Sequence, residues 1–108
     1  MMSSDERWRS DAEIASMLSM RYRVPTIDLD AYEIDLEVIA LVSRKQCETY
    51  DVLPVSRIAN SLVVAMVDPT NQTALDDLKR TTGFNIEAVI AARDKLRASI
   101  TKYYARPN

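Results

Sequence analysis

Six consecutive residues, Leu62-Val63-Val64-Ala65-Met66-Val67, carry no polar side chain, and three of them are β-branched valines. The run is far too short to cross a membrane, and its β-branching favours an extended conformation. It predicts a strand covered on both faces, because a strand with one wet face alternates apolar and polar residues instead. Burying both faces of a sheet requires helices packed against it, and that narrows the chain to a layered fold. Asp68-Pro69-Thr70-Asn71 is turn chemistry that stops the run. Upstream, Val52 to Arg57 has the same strand character, and Ile58-Ala59-Asn60-Ser61 reads as the link of a hairpin between the two.

The flanking segments read as helices and two further strands. Asp11 is placed to cap a helix over about 12–22, with Ile14, Met17, Leu18 and Tyr22 on an inward face. Thr26 to Leu29 alternates as a short strand would, after Pro25 biases Val24 out of the helical region. Asp35 is placed to cap a helix to about Val42 that buries Leu36, Ile39 and Val42, or else Val38 and Leu41. Ser43 with Gln46 is a capping-box pattern opening a helix to about Tyr50. A helix over about 73–82 ends at Gly83, the position of a left-handed cap. Ile86 to Ala91 reads as the last strand. Arg93 to Tyr104 reads as the last helix, with Leu96, Ile100 and Tyr103 on one stripe. The expected fold class is α+β, a small, mostly antiparallel sheet of three to four strands packed with helices and preceded by an N-terminal helix. Residues 1–10 read as a flexible arm and residues 11–105 as one domain.

What is missing from the chain constrains its chemistry. It has no histidine, one cysteine (Cys47) and one glycine (Gly83) in 108 residues. The commonest general base and metal ligand is therefore absent, and neither a P-loop nor a dinucleotide-binding glycine motif can be written. We expect no enzyme, no metal and no cofactor. A net charge of −2 offers no overall attraction to nucleic acid or to an anionic membrane. No apolar stretch is long enough for direct membrane insertion, no disulfide is possible, and the polar start lacks a signal peptide's apolar core. These features set a cytoplasmic expectation.

Few residues stand out as candidates for binding. Arg7, Arg9, Arg21 and Arg23 form a basic group around Trp8, suited to an acidic partner surface or to phosphate groups. The bland reading is a solvated face beside a frayed end. Asp68, at a strand end, either contacts a ligand or partner or accepts backbone N–H groups in its own turn. The carboxylates Asp28, Asp30, Glu33, Asp35 and Glu37 lack the spacing and glycine of a calcium loop and read as caps in a solvated acidic segment. Cys47 reads as a packed helix residue.

Several segments in order carry a family likeness. They are Val24-Pro25-Thr26-Ile27-Asp28-Leu29, Tyr32 to Asp35, Tyr50 to Val55, Leu62 to Asn71, Ala74-Leu75-Asp76-Asp77-Leu78, and Ile100 to Tyr104. Across roughly residues 12–104 the chain resembles the N-terminal domain of type II secretion and type IV pilus assembly ATPases. That resemblance implies a non-catalytic domain that docks on the cytoplasmic part of an inner-membrane platform protein or on a related regulator. It also implies an alternative, because some pilus-type members bind cyclic di-GMP through a doubled Arg-Leu-Gly motif ending in glutamine. Here Ile14 and Leu18 match the motif's apolar positions, Arg21 stands at its glutamine, and the Arg-Leu-Gly opening is missing. Asp68 matches an aspartate implicated in ligand contact in that version. Partner docking is therefore ranked ahead of nucleotide binding.

Overall fold

The computed structural model describes residues 10–105, so the arm read over 1–10 falls, but for Ser10, outside the described residues. Helix α1 (Asp11–Tyr22) comes first, then a single 3-10 turn (Leu29–Ala31), α2 (Leu36–Ile39) and α3 (Arg44–Tyr50). The strands β1 (Val52–Ile58) and β2 (Ser61–Met66) follow, then α4 (Gln72–Thr82), β3 (Asn85–Ile90) and α5 (Arg93–Tyr104). The class is α+β, with the helix ahead of the sheet, as the residue pattern predicts.

The sheet has three strands in the order β1-β2-β3. β1 and β2 form the expected antiparallel hairpin, with Leu53 opposite Ala65 and Arg57 opposite Leu62. β1 is the edge strand, and it carries Pro54 beside a bulge, both tolerated at an edge. The other junction differs from the antiparallel expectation, because β2 and β3 run parallel, from Ser61 opposite Asn85 to Met66 opposite Ile90. The intervening α4 explains this, since a helical crossover returns the chain to its starting end and makes parallel pairing possible. The strand expected at Thr26 to Leu29 is reduced to one parallel bridge, Thr26 to Ile90. Its two hydrogen bonds run from Ile27 N–H to Ile90 C=O and from Ile90 N–H to Pro25 C=O, at 2.9 and 2.8 Å. Asp28 then accepts the N–H of Asp30 and starts the 3-10 turn, which ends the extended run.

Leu53, Leu62, Val64, Met66, Leu78 and Leu96 are fully buried and form the centre of the core. β2 supplies Leu62, Val64 and Met66 to one face and Ala65 to the other, so the run that opens the sequence reading is covered on both sides. The Ser43–Gln46 capping box forms as its spacing predicts, and Gly83 ends α4 with φ 77°. Burial on α2 mixes the two expected sets, with Val38, Ile39 and Val42 inside and Leu36 72% exposed. The helix is only four residues long, too short for a full amphipathic stripe.

Tyr104 locks the last helix onto this core. Its hydroxyl lies 2.9 Å from the carbonyl of Ile39 and 2.8 Å from that of Val42, and it accepts the Cys47 S–H at 3.4 Å. Ile39 ends α2 and Val42 lies three residues beyond it, where the regular helical hydrogen bonds have stopped. Burial pushes the Cys47 thiol up to about 11, which keeps it protonated and inert. Burial also raises the Tyr104 phenol, which therefore stays a donor.

Candidate functional site

α1 is the element whose packing departs most from expectation. The sequence pattern places Ile14, Met17, Leu18 and Tyr22 inward. In the structure Ala15 is the one buried residue of the helix, while Ile14, Met17 and Tyr22 are exposed and Met20 is 81% exposed. The helix leans on the domain through small side chains. Ala12, Ala15 and Ser16 line a cleft of about 330 Å³ with Ile27, Leu29 and Ile90, and the ion pair between Lys95 and Asp30 stands at its rim. Leu18 is half-buried as expected, and the other large apolar side chains of α1 are left facing solvent. The signal for this is present in the sequence: alanines at 12 and 15 allow close approach on one face, and methionines at 17 and 20 leave the bulk on the other.

Two contacts set the direction of α1. Ser10, rather than Asp11, caps it, through a reciprocal box in which Ser10 accepts the Glu13 N–H and Glu13 accepts the Ser10 N–H, both at 3.1 Å. This corrects the cap expected at Asp11. The Asp11 carboxylate instead accepts the Asp94 N–H in the first turn of α5 at 2.9 Å. The cap position of α5 is Ala92, which has no side chain to offer, so one helix caps another.

Of the residues singled out from sequence, Arg21, Arg23 and Asp68 are described, and they do not lie together. Arg21 and Arg23 are exposed at the C-terminal end of α1, with the Arg21 guanidinium 5.7 Å from the Tyr22 ring centroid. Arg23 is the left-handed cap of the helix, at φ 57°. Asp68 sits toward the other end, one residue beyond Val67, which shares a shallow depression with Asp11 and Ile14. Arg21 is ten residues beyond Asp11, so about 15 Å of helix separates the basic group from that end. One carboxylate oxygen of Asp68 accepts the Thr70 N–H at 2.9 Å and the Thr70 hydroxyl at 2.6 Å. That geometry closes the turn before α4. Arg7, Trp8 and Arg9 lie outside the described residues.

Among the described residues no group of three or more carboxylate or thiol ligands is placed to hold a metal ion. No helix among the described residues is long and apolar enough to cross a membrane. What the surface offers is an apolar helix face, acidic at its start through Asp11 and Glu13 and basic at its end through Arg21.

Residues 22–108 match the MshEN domain. The chain belongs to that family. The match begins at the last residue of α1, so most of the exposed helix lies ahead of it. The chain is 42% identical over 95 residues to the type IV pilus assembly ATPase PilB of Myxococcus xanthus and 27% identical to PilB of Pseudomonas aeruginosa, covering 88% of this chain each time. It spans only 17% of the length of either relative. Among solved structures, MshE with bound cyclic di-GMP superposes with a TM-score of 0.81 at 24% identity, over 93% of this chain and 73% of the other. The N-terminal domain of XpsE superposes with a TM-score of 0.76 at 18% identity, over 95% and 72%. The MshEN domain is thus the N-terminal domain type of pilus and secretion ATPases, a unit separate from the ATPase activity.

Proposed function

We propose that this chain is a docking domain that joins a type IV pilus or type II secretion machine to a protein component of its inner-membrane platform, on the cytoplasmic side. The observation that carries this reading is α1. A helix that buries a single alanine while exposing Ile14, Met17, Met20 and Tyr22 is capped at its start and is left uncovered on its apolar side by the other described residues. Methionine-rich faces suit protein partners because the thioether adapts to irregular surfaces. The basic group at Arg21 and Arg23 then meets acidic residues at one edge of the partner. In this reading ATP hydrolysis belongs to the remainder of a longer relative, since a single glycine leaves this chain without a phosphate loop.

The test is capture of the purified cytoplasmic domain of the platform protein, followed by calorimetry. Met17→Glu and Met20→Glu change exposed positions and leave the core intact. Each is expected to weaken binding by about tenfold with an unchanged melting temperature. Equal affinity in both variants would remove α1 from the docking surface.

A second reading has its own support in the likeness to MshE solved with cyclic di-GMP. In this reading Arg21, Arg23 and Asp68 contact the nucleotide. It ranks second because the two ends of α1 keep the arginines and Asp68 apart, and because Asp28 and Asp30 line the cleft behind the helix, where they repel a dianion. Micromolar binding of cyclic di-GMP in a calorimetric titration reverses this order.

A further inference from the structure

We propose that the outer face of α1 also pairs with α1 of a second copy of this chain, antiparallel and centred on Met17. The argument starts from the symmetry of the charges. Glu13 and Arg21 lie four residues either side of Met17, and Ile14 and Met20 lie three residues either side. All five residues are exposed; on a helical wheel Glu13, Met17 and Met20 lie opposite the buried Ala15, Arg21 lies beside them, and Ile14 forms the edge of the face next to Val67 and Ala91. An isologous contact requires one patch to complement itself when turned about a two-fold axis. Reversing α1 about Met17 brings each copy's Glu13 to the level of the other's Arg21, and each Ile14 to the level of the other's Met20. The acidic start of each helix then lies beside the basic end of its partner, which also suits the two helix dipoles. Parallel pairing would stack Glu13 on Glu13 and Arg21 on Arg21.

The contact is modest. Twelve residues at 1.5 Å per residue give a helix about 18 Å long, well short of the span of a standard stable interface. Self-association is therefore weak and shows at high protein concentration. It uses the face assigned above to partner docking, so a bound partner and a second copy exclude each other. Sedimentation of the chain alone tests the pairing without any partner present, and its outcome is independent of whether the docking reading holds.

The experiment is sedimentation velocity from about 10 μM to about 1 mM. The wild-type chain is expected to shift toward a dimer as concentration rises. Met17→Glu, Glu13→Arg and Arg21→Glu each raise the dimer dissociation constant about tenfold or more. An equimolar mixture of Glu13→Arg and Arg21→Glu regains association, because only the mixed pair has opposite charges at both ends. Far-UV circular dichroism checks that α1 survives the loss of its capping box in Glu13→Arg. If it does not, Met17→Glu alone decides. A monomer at every concentration overturns the proposal, as does a dimer indifferent to Met17→Glu, or a mixture of two folded variants that fails to regain association.

Discussion

The carboxylate of Asp11 accepts the backbone N–H of Asp94 at 2.9 Å, a hydrogen bond that spans 83 residues of chain. It ties the start of α1 to the start of α5, whose own cap residue, Ala92, offers no side chain. Loss of a helix cap costs about 1 kcal/mol. Asp11→Ala is expected to lower stability by about that amount and to raise amide hydrogen exchange throughout α1, because Ala15 is its one buried anchor. Unfolding in urea gives the first quantity and exchange mass spectrometry the second. Unchanged exchange in α1 would show that the bond does not orient the helix.

Tyr104 offers one hydroxyl hydrogen to two backbone carbonyls, Ile39 at 2.9 Å and Val42 at 2.8 Å, and takes the Cys47 S–H as an acceptor. Removing the oxygen leaves the Val42 carbonyl and the Cys47 thiol without a partner, while the Ile39 carbonyl keeps the Val42 N–H at 3.4 Å. Tyr104→Phe is expected to destabilise the domain by about 1–2 kcal/mol, read as a lower urea midpoint at an unchanged slope. Cys47→Ala should add less than its own single effect in the Tyr104→Phe background, because the two side chains share one network.

Elements specified by neighbouring residues were legible, and those specified by distant ones were not. The Leu62–Val67 run announces a central strand because burial on both faces leaves a compositional trace along the strand itself. Ser43 with Gln46, and Gly83, announce helix ends because capping is settled within four residues. The face of α1 was misassigned for the opposite reason. A helical wheel groups Ile14, Met17, Leu18 and Tyr22 but says nothing of which side meets a neighbour, and here the neighbour is reached through Ala12 and Ala15. The role of Asp11 depends on Asp94, which no local pattern reveals. Thr26 to Leu29 has strand character, yet Asp28 bonds its own backbone two residues on and the pairing stops at a single bridge.

Asp77 joins α4 to α3. Gln46 donates to its carboxylate at 3.3 Å, Arg80 pairs with it, and the Tyr50 hydroxyl donates at 3.1 Å. Those three donors, Gln46 foremost, hold the carboxyl below its ordinary value. A lowered folded-state value means that the unfolded chain binds the proton more readily. The contribution to stability is therefore complete above the unfolded value of about 4 and is lost as pH falls through the lower folded one. Asp77→Asn is expected to flatten the decline of stability in that acid window and to leave its shape near neutrality unchanged. Urea midpoints measured from about pH 2 to pH 7 check this, and an unaltered acid limb would show that Asp77 does not titrate with folding.

Ala59 turns the β1–β2 hairpin with φ 54°, in the left-handed region. Its Cβ crowds the backbone there at a cost of about 1–2 kcal/mol. Hairpin turns that need a positive φ normally use glycine or asparagine. Ala59→Gly relieves that strain but also loosens the unfolded chain by about 0.4–1 kcal/mol. Strain relief is the larger of the two, so the variant is expected to be more stable by about 0.5 kcal/mol, with a raised urea midpoint and an unchanged slope. Ala59→Val serves as the converse, because a β-branched side chain tolerates this region least. It should lower the midpoint although position 59 is exposed. If glycine and valine moved stability in the same direction, backbone conformation would not be what the turn selects for.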